Sequence, residues 1–172
     1  MPRLLVSQYR ELLTQMSSAE SNSEKGSSME TLLNYLLDGV PGLEVVDRDV
    51  NTALEELDLV IWNQRLHPCF RPWGEIFLVE CKNWATPVGA EDVAWFANKL
   101  RERHLPNGIF VARNGITGDF YHAAGKIVMN ALREGIRIVV LTGADLGQVT
   151  SNRAFTELIK TKYCGLYVGR PV

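Results

Sequence analysis

The chain has 172 residues, of which 46% are apolar, 22% charged and 9% aromatic. That balance suits one globular domain able to bury about 70% of its unfolded surface, and it excludes a disordered chain, a coiled coil and a disulfide miniprotein. Eighteen Lys and Arg against 20 Asp and Glu leave a net charge of −2, which argues against a basic, non-specific nucleic-acid binder but not against an acidic site offset by bound metal.

Leu5, Tyr9, Leu12, Leu13 and Met16 recur at helical spacing and predict an amphipathic helix over 3–16. The serine-rich stretch SSAESNSEKGSS, residues 17–28, reads as a flexible joint. A second helix is expected from Met29 to Asp38, closed by Gly39 with Pro41 beyond. Three strands follow, Leu43–Asp49, Leu57–Trp62 and Ile76–Lys82; together they predict an antiparallel meander. After residue 89 the pattern alternates: helix Ala90–His104, strand Gly108–Ala112, helix Asp119–Arg133, strand Ile136–Leu141 and helix Asn152–Tyr163. Such alternation implies crossovers and a partly parallel sheet, an α/β fold with helices on its flanks. We expect a single domain, with an N-terminal helix within 1–17, a joint at 18–28, a core over 29–146 and a C-terminal helical extension over 147–172.

The cysteines Cys69, Cys81 and Cys164 are odd in number and match no zinc spacing. Cys81 lies in an apolar strand pattern, where a buried reduced thiol points to a reducing compartment. No run approaches the ~20 apolar residues of a membrane span, and the Arg10-Glu11 pair does not fit a secretory signal. A cytoplasmic protein is expected.

The stretch FLVECKNW, residues 77–84, carries the strongest chemical signal. Side chains alternate along a strand, so Glu80 and Lys82 share one face and Val79 and Cys81 the other. Metal-assisted hydrolysis uses such a pair: the carboxylate holds a divalent cation while the lysine orients or deprotonates water and steadies developing charge. The backbone carbonyl of Cys81 points sideways as a further oxygen ligand. Mg²⁺ sites use more than one oxygen donor, and the second candidate is Asp58, which interrupts the apolar strand ELDLVIW. Its competing reading is a turn residue at the strand start, after Glu55 and Glu56. Glu30 has two readings of equal weight, a metal-site acid or the closing residue of a capping box, Ser27-Ser28-Met29-Glu30. His67, His104 and His122 lack partner spacing and read as surface or packing residues; Trp62, Trp73, Trp84 and Trp95 read as core and rim.

An acid in one strand, acid-x-lysine ending the next, and then a helix resembles the PD-(D/E)xK nuclease superfamily. Within it, KGSSMETLLNYLL, ELDLVIWN, FLVECKNWATPVG and NGIFVARNGIT followed by AAGKIV resemble the Mrr-type restriction endonuclease group over residues 26–146. The resemblance implies a restriction endonuclease-like αβββαβ core, Mg²⁺-dependent phosphodiesterase activity (Mn²⁺ being the alternative cation) and DNA as substrate. It assigns Asp58, Glu80 and Lys82 to the catalytic trio and Glu30 to the acid on the preceding helix. Leu57 stands where a proline or glycine is common, and the helix after Lys82 lacks a clear glutamine. Candidate DNA-phosphate contacts are Arg65 and Arg71 in the loop between the two catalytic strands, Lys99, Arg101 and Arg103 on the following helix, and Arg113; helix-end solvation is the competing reading. Cutting both strands would call for two sites, as in a homodimer. The alternatives are a non-catalytic nucleic-acid-binding or subunit module of the same fold, in a defence or repair assembly, and an unrelated α/β enzyme in which Asp58 and Glu80 lie far apart.

Overall fold

The computed structural model describes residues 4–51, 56–119 and 121–169. Arg3, Glu55, Phe120 and residues 170–172, which fall within segments discussed above, lie outside the described residues. Two helices come first, α1 (Val6–Ser18) and α2 (Asn22–Asp38). Three strands follow, β1 (Leu43–Asn51), β2 (Glu56–Asn63) and β3 (Ile76–Lys82). Then α3 (Ala90–Glu102), β4 (Asn107–Ala112), α4 (Ala123–Arg133) and β5 (Arg137–Thr142) alternate. A short α5 (Gly143–Gly147) and a long α6 (Asn152–Tyr167) complete the order.

The strands lie side by side in sequence order, antiparallel from β1 to β3 and parallel from β3 to β5. The expected meander and crossovers are both present, and the fold is α/β with a mixed sheet flanked by helices. Period-two alternation divides the sheet between two cores. Leu59, Ile61, Phe77, Val79, Ile109, Val111, Val139 and Leu141 share one with α1, α2 and α6; Leu78, Phe110, Ile138 and Val140 share the other with α3 and α4. β4 is buried at every residue, as befits a parallel strand covered on both faces. Gly108 lets α3 approach it, since a Cβ there would come within 2.7 Å of the Phe96 ring.

The expected joint at 17–28 is mostly helix. Ser21 accepts the Glu24 N–H and Glu24 reaches back to the Ser21 N–H, so the capping box starts α2 there, seven residues before Met29. Glu30 is therefore mid-helix, and the capping reading for it falls. α4 starts at Ala123 instead of Asp119 because Asp119 accepts the Tyr121 N–H (2.9 Å) in a local turn after Gly118, whose φ is +77°. α3 ends at Glu102, and His104 turns into the left-handed region at φ +55°.

The stripe on α1 is used as expected, with Tyr9 and Met16 buried and Leu12 and Leu13 half-covered, whereas Leu5 stays 59% exposed. The Tyr9 hydroxyl donates to the Leu146 carbonyl at 2.6 Å, and the Leu4 N–H to Asn152 Oδ1 at 2.9 Å. Deleting residues 1–17 should uncover this core surface and lower the melting temperature and solubility; an unchanged, stable monomer would refute the docking role. Tyr9→Phe, which strands the Leu146 carbonyl, should cost about 1–3 kcal/mol in urea unfolding.

Candidate active site

The β2–β3 ladder runs from Trp62–Ile76 to Leu59–Val79 and stops. Beyond that rung the N–H of Cys81 has no backbone partner on β2, and Asp58 Oδ2 accepts it at 2.6 Å. The N–H and C=O of a strand residue leave by the same edge, so the Cys81 carbonyl faces the same gap. Alternation places Leu57 with Leu59 and Ile61, but it packs with the α3–α4 core, while still paired with Val50 of β1.

Glu80 and Lys82 do share a face, with Lys82 Nζ 2.9 Å from Glu80 Oε1. The other oxygen, Oε2, lies 2.8 Å from Lys99 Nζ on α3, and the same ammonium donates to the Glu56 carbonyl at 2.6 Å. Glu80 and Lys99 are only 4% and 3% exposed, and buried charges of this kind persist only when paired and hydrogen-bonded. Lys99 is thus withdrawn from the surface and cannot serve as the phosphate contact expected from sequence.

Glu30 projects from α2 toward the same region and is 5% exposed. Its Oε2 lies 3.9 Å from the Arg48 guanidinium and has no hydrogen-bond partner. Asp49 on β1, at a left-handed φ of +48°, is a neighbouring carboxyl that favours the protonated form of Glu30. A cleft of about 680 Å³ opens here, lined among others by Lys25, Glu30, Asp49, Asp58, Lys82 and Trp84. A larger cavity of about 1190 Å³, bounded by Leu4, Pro68, Cys69 and Tyr163, contains none of these carboxylates.

Burial first, then repulsion from Glu80, pushes the Asp58 carboxyl up to about 6, against the pull of the Cys81 N–H, Lys82 and Lys99. Burial, the Asp49 contact and the Asp58 charge push Glu30 up to about 8. Burial pulls Lys82 down, but Glu80 and Asp58 outweigh it and hold the ammonium above its ordinary value. Lys82 is therefore a charged donor at neutral pH and not a base. Burial followed by the surrounding carboxylates drives the Cys81 thiol well above its usual range, so it stays neutral and unreactive.

Further residues border the site beyond the expected carboxylates and Lys82. Asn83, buried, donates to the carbonyls of Met16 (2.9 Å) and Lys25 (3.0 Å), tying α1 and α2 to the end of β3. Trp84 stands 42% exposed at the lip, with Lys82 Nζ 5.6 Å from its ring centroid. Asp49 and Lys99 reach the site through the fold and not through local spacing. Arg113 points its guanidinium at the Ser17 carbonyl (3.2 Å) and Asn83 (3.5 Å), a structural tie. Arg65 and Arg71 sit in the loop at the opposite end of β2 and β3, where Arg65 pairs with Glu75 at 3.7 Å; topology removes both from the cleft. Arg101 pairs with Glu134 at 2.6 Å, and Arg103 donates to the Lys99 carbonyl at 3.1 Å.

No three His, Cys, Asp or Glu side chains among the described residues form a ready-made metal cluster. The donors around the gap nevertheless suit a hard cation: they are all oxygen, two have pKa values raised by burial and then by neighbouring carboxylates, and one buried oxygen of Glu30 is unpartnered. Asp58 accepts the N–H of Cys81, the residue after Glu80, so the two acids stand at the same end of β2 and β3 and are not far apart.

No curated protein matches the chain. The family model described as restriction endonuclease, the Mrr catalytic domain, matches residues 26–150, an interval that contains Glu30, Asp58, Glu80 and Lys82 and agrees with the 26–146 expected from motifs. The chain belongs to the Mrr-type restriction endonuclease family of PD-(D/E)xK-like nucleases.

Proposed function

We propose that this protein hydrolyses DNA phosphodiester bonds with the help of Mg²⁺ or Mn²⁺. The observation that carries the reading is Asp58 lodged in the open end of the β2–β3 ladder, bonded to the Cys81 N–H at 2.6 Å, beside the Glu80–Lys82 pair at 2.9 Å. Asp58 and the Cys81 carbonyl would hold the cation, with Glu80 Oε1 and Glu30 as the neighbouring carboxylates. When bound, the cation supplies Lewis-acid stabilisation of charge growing on the phosphoryl oxygens. Lys82, charged, donates to the attacking water and offsets the same charge. Double-strand cleavage would call for two copies, and three free thiols suit a cytoplasmic protein.

One observation favours a second reading. Both oxygens of Glu80 are bound by lysines, an arrangement that would also suit a non-catalytic binding or subunit module. Plasmid nicking at several Mg²⁺ and Mn²⁺ concentrations separates the two. Lys82→Ala should slow cleavage ~10²–10³-fold with little change in metal affinity, whereas Asp58→Ala should weaken metal binding itself in calorimetric titration. A Lys82→Ala protein that cuts at the parent rate would sink the mechanism. A parent that cuts neither DNA nor RNA would leave the module as the better account.

The raised carboxyls also make stability depend on pH. Glu30 moves from 4.5 unfolded to about 8 folded, and Asp58 from 3.8 to about 6. Between those limits the folded state binds more protons than the unfolded one, so stability falls as pH rises. The metal-free melting temperature should drop from pH 5 to pH 8, and Mn²⁺ should raise it more at pH 8 than at pH 5. Glu30→Gln should flatten the decline; a pH-independent melting temperature in both proteins would contradict the electrostatic picture.

A further inference from the structure

Lys99 carries an inference that rests on the nuclease reading and goes further. It is almost wholly buried, yet its ammonium touches two different strands at once: the Glu56 carbonyl at the start of β2 (2.6 Å) and Glu80 Oε2 near the end of β3 (2.8 Å). Those are the two strands whose ladder stops at Leu59–Val79. Lys99 therefore spans the opening from the α3 side, opposite in role to Asp58, which closes it through the Cys81 N–H. Occupying Oε2 also leaves Oε1 as the only Glu80 oxygen turned toward Lys82.

We infer that Lys99 is a positioning residue of the cleavage site: it fixes the width of the β2–β3 opening and holds Glu80 Oε2, so that Oε1 is the oxygen presented to Lys82. A group that merely filled space would need no charge, and a charge placed only to neutralise Glu80 would not also require the Glu56 carbonyl. Two charge-assisted bonds from one buried ammonium set the spacing of β2 against β3, and with it that of Asp58 against Glu80. Misplacement of reacting groups by about 1 Å is worth on the order of 10²-fold in rate.

The inference separates affinity from turnover. Lys99→Met removes a positive charge beside the carboxylates and frees Glu80 Oε2, so the variant should bind Mn²⁺ about threefold to tenfold more tightly in calorimetric titration of the full chain. Its kcat for plasmid nicking at saturating Mg²⁺ should nonetheless fall on the order of 10²-fold. Lys99→Arg, which can still reach both acceptors, should restore most of the rate. A purely structural lysine would lower the melting temperature and weaken affinity and rate together; that pattern, or a folded Lys99→Met protein unchanged in both, overturns the inference. If Lys99→Met does not fold, Lys99→Gln carries the same comparison, since one amide nitrogen cannot hold both acceptors as the ammonium does. A parent that binds Mn²⁺ but cuts nothing defeats the nuclease reading, while the affinity comparison still decides the role of Lys99. A parent that neither binds nor cuts defeats both.

Discussion

The hydrogen bond from the Cys81 N–H to Asp58 is the constraint on which the site is built. A sheet that ends a ladder inside the protein strands a buried donor, at a penalty of about 1–3 kcal/mol. Here a carboxylate from the neighbouring strand supplies the missing acceptor. One side chain thereby completes the sheet and presents an acid to the cleft. The β2–β3 pairing ends before this point, which leaves the Cys81 edge of β3 to the carboxylate.

Electrostatics then decide what each group can do. Glu80 is paired with Lys82 and Lys99, whereas the carboxyls at the cleft, Asp58 and Glu30, are raised first by burial and then by the neighbouring carboxylates. Lys82 sits between the two groups and gains from both, which keeps it charged. The raised carboxyls favour mild acid over neutral pH in the metal-free site. Such residual frustration is expected where groups are not arranged for stability alone.

Much of this was legible in the chain. The period of two through Phe77, Val79 and Cys81 placed β3 at Ile76–Lys82 with Glu80 and Lys82 together, and the change of pattern after residue 89 gave the parallel half of the sheet. The reading of 17–28 as a joint failed because serine-rich composition outweighed a local signal, the Ser21-x-x-Glu24 box that starts α2. Asp49 could not be found by alternation, since its role depends on a left-handed backbone within β1. Lys99 was read as a surface cation because sequence does not show that its stem crosses to β2 and β3. The arginines of the 65–74 loop were adjacent to the catalytic strands in sequence but at their other end in space.

The remaining step concerns the wall of the cleft. α2 supplies Glu30, and its position relative to β3 is fixed by Asn83, which bonds to both the Lys25 and the Met16 carbonyl. Arg113 reinforces the same joint through the Ser17 carbonyl. Met16 and Ser17 belong to α1, outside the 26–150 interval that defines the family. The helix that carries none of the site's carboxylates therefore helps set where one of them stands. Its Tyr9 and Met16, buried against the sheet and α5, anchor that support to the core. A segment beyond the family interval thus holds the wall of the cleft that the family motif lines.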